Sequence, residues 1–232
     1  MKQMKQPLCI VVCMSFMITV LLTCIDVLAF QSSFFQDQYH ELQIAETMGM
    51  SEKDLMKATT VLLDYLHHDR FDIHVNVTVQ EKQVEMFNER EIAHMVDVKN
   101  LYQTAMFVRN IACLTLIVSF LALWIIFRRD IWFSLSYRYI QCTIFMISVA
   151  GMLGLWIAVD FSTFWTTFHH VFFRNDLWLL NPITDRMIQM FPEPFFFAMV
   201  SRIAIAFVLV FGLLFILSLW YYHRKTHQTQ EE

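Results

Sequence analysis

Four stretches of this chain, residues 8–30, 107–127, 139–161 and 203–222, run for roughly twenty residues each with almost no charge. A helix of about 20 apolar residues spans the roughly 30 Å hydrocarbon core of a bilayer. A helix also satisfies its own backbone polar groups there, which an open strand does not. The chain is 57% hydrophobic and only 16% charged, where a soluble domain carries about 25% charged residues. These features predict an α-helical integral membrane protein with four transmembrane helices. The polar exceptions, Asp26 near the end of the first span and Arg109 and Asn110 at the start of the second, suit an interface better than a bilayer centre.

The first span has a basic start, Lys2 and Lys5, and Val27-Leu28-Ala29 has the form of a cleavage site. Its apolar run exceeds the ~7–15 residues of a signal-peptide core, so it reads as a retained span. Basic residues near span ends set orientation. Lys2 and Lys5 precede the first span, Arg128, Arg129 and Arg138 lie between the second and third, and Arg224 and Lys225 follow the fourth. With four spans all of these fall on one side. The expectation is a multi-pass protein with both termini cytoplasmic, and with the connections 31–106 and 162–202 facing outward from a single membrane domain, 1–232. The five cysteines, Cys9, Cys13, Cys24, Cys113 and Cys142, all lie within predicted spans and read as small packing residues. Neither a disulfide framework nor metal-type spacing is present.

The first connection reads as a small α+β extracellular cap. Ser51 begins a helix with acids in its first turn, and Leu55, Leu62, Leu63 and Leu66 follow at helical spacing. Residues 71–79 alternate apolar and polar, the pattern of a half-buried strand, with a turn at 80–83 and a return strand at 84–87. His67 and His68 close the helix and His74 lies on the polar side of the strand, all with solvated roles. Asn88 and Glu91 then form a capping-box pattern for a helix that runs on into the second span. On it Arg90, His94 and Asp97 share a face, where Asp97 is one turn from His94 and can hold an imidazole nitrogen. The alternative is a solvated, salt-bridged helix face.

The second connection is an aromatic-rich outer segment containing Phe161, Phe164, Trp165, Phe168, Phe172, Phe173 and Trp178. An interfacial belt accounts for most of these rings. It does not account for His169, His170, Arg174, Asn175, Asp176 and Asp185 among them. Asn181 and Pro182 have the form of a helix start, predicting a short amphipathic helix up to Phe191, ended by Pro192 and Pro194. Ionisable groups in so apolar a setting are functional candidates.

The sequence His94-Met95-Val96-Asp97-Val98, with Phe168-His169-His170-Val171-Phe172-Phe173-Arg174-Asn175-Asp176-Leu177-Trp178 and Met190-Phe191-Pro192-Glu193, resembles the Lit family, the lipoprotein intramolecular transacylases of Gram-positive bacteria. The resemblance covers nearly the whole chain. It implies an acyltransferase that moves the sn-2 acyl chain of a diacylglyceryl-cysteine lipoprotein to the cysteine α-amino group, giving lyso-form lipoprotein. The family's histidine motif falls on His169, followed by Phe172, Phe173, Asn175, Asp176 and Trp178, and its other histidine falls on His94. His170 stands where an acid or polar residue is expected. The resemblance implies histidine catalysis, with His169 as general base and then acid and His94 orienting or stabilising the oxyanion, or the two roles exchanged. It also implies support or head-group contacts from Arg90, Glu91, Asp97, Asn175 and Asp176, and acyl-chain walls from Phe172, Phe173 and Trp178. Diacylglyceryl-cysteine lipoproteins and membrane lipid are the implied partners. No cofactor, metal or nucleic acid is implied. A haem or metal oxidoreductase fits less well, since the predicted spans contain no histidine. A non-enzymatic sensor or assembly factor binding a partner through its cap is the alternative.

Overall fold

The computed structural model describes residues 2–128 and 131–230. Arg129, one of the basic residues used for orientation, lies outside the described residues, and so does the side chain of Lys2. The elements in chain order are α1 (Lys2–Ala29), α2 (Ser32–Glu41), α3 (Ile44–Met48), α4 (Glu52–Leu66), β1 (Asn76–Val79), β2 (Lys82–Glu85), α5 (Glu89–Phe127), α6 (Ile131–Val159), α7 (Phe161–Phe172), α8 (Arg186–Met190) and α9 (Glu193–Gln230). Four helices, α1, α5, α6 and α9, are long and apolar enough to cross a membrane. The protein is a mostly helical, multi-pass membrane protein with one small two-stranded sheet.

The chain divides into two compact units. The first comprises Met1–Asp26, Met106–Val159 and Arg202–Glu232. Its core is thin: Cys13, Met17, Tyr139, Cys142, Phe207 and Phe211 form one cluster, and Cys9, Val12 and Leu123 another. At most 28% of any span's most apolar window is buried in protein. The side chains left outside, among them Ile125, Leu155, Val159 and Leu209, are apolar, as a lipid-facing surface requires. Asp26 and Arg109 form an ion pair of 2.5 Å, so each charge is met within the protein.

α6 starts eight residues before the predicted third span and ends at Val159, two residues short of it. The reason for the early end is Asp160, whose carboxylate accepts from the Thr163 backbone N–H at 3.0 Å and caps a new helix, α7. The sequence reading assigned no helix to this aromatic segment.

The second unit comprises Val27–Ala105 and Asp160–Ser201. Ser51 Oγ accepts from Asp54 N at 3.1 Å, capping α4 as its sequence predicts. Leu55, Leu62 and Leu66 are buried along one face of that helix. Buried Thr59 bonds the Tyr39 hydroxyl at 2.7 Å and joins α4 to α2. Phe34, Phe35, Tyr39, Phe191 and Phe195 pack ring on ring below. Ile73, Val75 and Val77 are buried while Asp72, His74 and Asn76 are exposed, the predicted alternation. Only Asn76–Val79 pairs as strand, and its partner starts at Lys82, two residues earlier than expected. Gln80 and Glu81 both take positive φ, 49° and 66°, which gives a two-residue turn of the primed type that matches strand twist. Gly49 ends α3 at φ 64° and its carbonyl accepts from Gln80 N at 2.8 Å. A Cβ there would sit 3.0 Å from Gln80 Cγ, so at this positive φ the cap favours glycine.

Candidate active site

The site belongs entirely to the second unit. α5 is 39 residues long, about 58 Å at the helical rise and nearly twice what hydrocarbon needs. Residues 89–105 precede its apolar part, and they carry His94. Its start is fixed by the predicted capping box. Asn88 Oδ1 accepts from Glu91 N at 3.0 Å, and Glu91 Oε2 accepts from Asn88 N at 2.7 Å. The other oxygen of Glu91 accepts from Met187 N at the start of α8, and Asn88 Nδ2 donates to Asp185 Oδ1 at 2.9 Å. Glu91 is therefore buried and fully engaged, with burial the main cause of a pKa above the usual carboxylate value. α8 begins only at Arg186. Asn181 and Asp185 bond across a single turn, but Asp185 is extended (φ −101°, ψ 120°), so the helix predicted from Pro182 does not run on from there.

His169 lies on α7 in the turn above Trp165. Each of the two candidate histidines is only 7% exposed, and their ring centroids are 6.1 Å apart. Phe173 touches both, at 5.3 Å from His94 and 5.6 Å from His169. Trp178 stacks on His169 at 4.8 Å, and Trp165 meets it edge-on at 4.8 Å. Its neighbour His170 is exposed. Burial thus distinguishes His169, on which the motif falls, from its neighbour His170.

His169 Nδ1 lies 2.7 Å from the Trp165 carbonyl oxygen. A carbonyl only accepts, so Nδ1 carries the proton and Nε2 keeps its lone pair. Burial lowers the His169 pKa below its ordinary value, a shift that the Trp165 bond opposes. Burial, and after it the neighbouring His169, bring His94 down to about 4. At neutral pH both imidazoles are uncharged, the form in which a histidine can act as a base. Among the described residues, His94 Nδ1 and Trp178 Nε1 are buried nitrogens with no hydrogen-bond partner.

The remaining candidates shape the loop after α7. Asp97 does not hold the Nδ1 of His94. Its carboxylate accepts from Asn175 Nδ2 at 2.8 Å. Asn175 Oδ1 in turn accepts from Leu177 N at 3.0 Å, and the Arg90 guanidinium donates to the Asp176 carbonyl. Arg90, Asp97, Asn175 and Asp176 thus strap this loop, with Trp178 at its end, to α5. Phe173 is buried beside the histidines, whereas Phe172 is 50% exposed and packs on Phe168. Trp165 is the residue that sequence reasoning missed. Its carbonyl one helical turn before His169 was visible only if α7 had been read as a helix. Among the described residues no group of three or more His, Cys, Asp or Glu is arranged to hold a metal ion.

Four apolar helices and a buried pair of neutral imidazoles, one with a fixed tautomer, define an integral membrane protein equipped for acid–base chemistry. The family model for the lipoprotein intramolecular transacylase Lit matches residues 10–196. The chain belongs to the Lit family and is an enzyme of that transacylase class. Among solved structures it is similar to the in meso structure of the membrane integral lipoprotein intramolecular transacylase Lit from Bacillus cereus. The two are 21% identical with a TM-score of 0.75, covering 98% of this chain and 100% of that one. Structures of the same Bacillus cereus protein with one histidine replaced by arginine or by alanine match with TM-scores of 0.73 at 20% identity, covering 98% of this chain and 96% or 97% of theirs. At this identity the likeness is one of fold. No curated protein sequence matches.

Proposed function

We propose that the chain moves the sn-2 acyl group of a diacylglyceryl-cysteine lipoprotein from its glycerol oxygen to the α-amino nitrogen of the same cysteine, giving N-acyl, S-monoacylglyceryl cysteine. The single observation that carries this reading is the His169 imidazole, held by Trp165 with Nε2 as its one basic nitrogen and buried beside His94.

The chemistry suits that arrangement. An α-amino group has a reference pKa of ~7.7–8.0, so it first loses a proton to solvent. The neutral amine attacks the ester carbonyl carbon, a C–N bond forms, and the carbonyl π pair moves to oxygen. His169 Nε2 takes a proton from the nitrogen. As the tetrahedral intermediate collapses, the C–O bond to glycerol breaks and the imidazolium returns that proton to the leaving oxygen. One ester and one amine become one amide and one alcohol, with no net change in protons. No enzyme nucleophile is required, because both reacting groups belong to one molecule and proximity supplies much of the rate. His94, neutral at working pH, has one N–H to offer the oxyanion. Phe173 walls the acyl chain, while Arg90, Asp97 and Asn175 hold the loop that frames it. The site faces outward and both termini are cytoplasmic.

The test is mass spectrometry of the N-terminal lipopeptide of an abundant lipoprotein, from a host that makes only the diacylglyceryl form. Expression of this chain leaves the total mass unchanged and moves one acyl chain to nitrogen. General acid–base catalysis contributes about 10²–10⁴-fold, so His169→Ala and His94→Ala lose at least about 10²-fold in turnover while the protein stays in the membrane. Near-normal turnover in either variant removes that residue's role.

A further inference from the structure

Trp178 carries a donor that the protein itself leaves unused. Its indole stacks on His169 with ring centroids 4.8 Å apart and planes within 28°, and it meets the edge of His170 at 5.0 Å. Its Nε1 is buried and has no partner. An indole N–H only donates, and native proteins keep few buried donors unsatisfied unless a role requires it. Stacking alone does not call for that nitrogen, since a phenyl ring stacks as well. The indole is also held in place on both sides. Asn175 and Asp176 are tied to α5 just before it, and its own carbonyl accepts from Leu180 N at 2.9 Å just after. A rigid, desolvated donor lying over the face of the base has the properties of a preorganised oxyanion stabiliser.

We propose that the Trp178 Nε1–H donates a hydrogen bond to the acyl carbonyl oxygen as that oxygen becomes the oxyanion, which makes Trp178 a catalytic residue beyond its place in the wall of the site. The inference rests on the reading of His169 as the base. A neutral ester oxygen is a weak acceptor and an alkoxide a strong one, so this bond strengthens on the way to the intermediate. Its loss therefore lowers kcat more than it raises KM. The unpartnered nitrogen of His94, 6.1 Å from His169 between ring centroids, is the natural second donor.

The experiment uses the full chain purified in detergent with a synthetic diacylglyceryl-cysteine lipopeptide, comparing Trp178→Phe with the unaltered protein and with His169→Ala. Removal of one oxyanion donor costs about 10²–10³-fold in kcat elsewhere, and a loss of tenfold or more with KM nearly unchanged is expected here. The thermal midpoint falls only by the packing that the smaller ring gives up against His169 and His170, because the substitution deletes no hydrogen bond. If Trp178→Phe does not fold, benzothienylalanine at the same position keeps the bicyclic shape and removes only the N–H. A folded variant of either kind with a kcat loss below tenfold, beside an inactive His169→Ala, overturns the role of Trp178 and leaves the base in place. Full activity in His169→Ala overturns the reading beneath both.

Discussion

At the scale of single residues, the site depends on keeping two imidazoles neutral away from water. His94 shows the cost most clearly. Its pKa falls from 6.5 to about 4, mainly through burial and then through His169, with Asp97 opposing. In the unfolded chain this histidine takes up a proton below about pH 6.5, whereas in the folded chain it resists until about pH 4. The unfolded state therefore binds more protons throughout that window, and stability falls as pH drops through it. The His94 contribution is in full effect above pH 6.5 and is lost by about pH 4, amounting to about 3 kcal/mol at 1.36 kcal/mol per unit. His169, lowered in the same direction, adds to the slope. Glu91, raised by burial, acts in the opposite sense, so the difference between proteins is the useful measurement. The thermal midpoint in detergent should drop between pH 6.5 and 5 in the unaltered protein, and the drop should be shallower in His94→Asn. Identical slopes in the two would show that His94 is not buried as a neutral imidazole.

At the scale of elements, what was legible in the sequence is what neighbours in the chain decide. The spans were legible because hydrocarbon admits few polar side chains. Ser51 capping α4 and the Asn88–Glu91 box starting α5 were legible because each is a bond across three residues. The contacts that build the site are not of that kind. Glu91 to Met187, Asn88 to Asp185 and Asp97 to Asn175 each join distant parts of the chain, and no periodicity announces them. Asp97 sits one turn from His94, yet its carboxylate is taken by an amide from the other connection. α7 went unread although Phe161, Phe164, Trp165, Phe168 and Phe172 recur at helical spacing opposite Ser162, Thr163, Thr166 and Thr167, because an interfacial belt explains such rings equally well. The reach of Glu91 gives a prediction. Its carboxylate accepts from two backbone N–H groups, one of them starting α8. Glu91→Ala leaves both without that partner, at a cost of about 2–6 kcal/mol from about 1–3 for each unsatisfied group. Glu91→Gln keeps one good acceptor oxygen and should fall between. Thermal unfolding in detergent should rank the three proteins in that order, and equal midpoints for Ala and Glu would remove the anchoring role.

At the scale of the whole molecule, the second unit is made from two stretches, Val27–Ala105 and Asp160–Ser201, each of which follows an odd-numbered span. In a chain that crosses a bilayer four times, both stretches emerge on the same side, whichever side that is. This topology lets histidines 75 positions apart in the sequence meet in one pair. Which side it is depends on charge. Lys5, Arg128, Arg138, Arg224 and Lys225 all fall on the other side, and an excess of basic residues stays cytoplasmic. On that rule we propose that the site faces outward, on the side where the lipid anchor of an exported lipoprotein resides. The chain's own cysteines permit a clean test. Cys9, Cys13 and Cys142 are buried, and Cys24 and Cys113 are half-buried within the spans, so a charged maleimide has little background to label. A cysteine at Gln83, exposed on β2, should react on intact cells. One at Gln228, exposed near the end of α9, should react only after the membrane is opened. The reverse pattern would put the histidine pair on the cytoplasmic side and exclude acyl transfer on lipoproteins already exported.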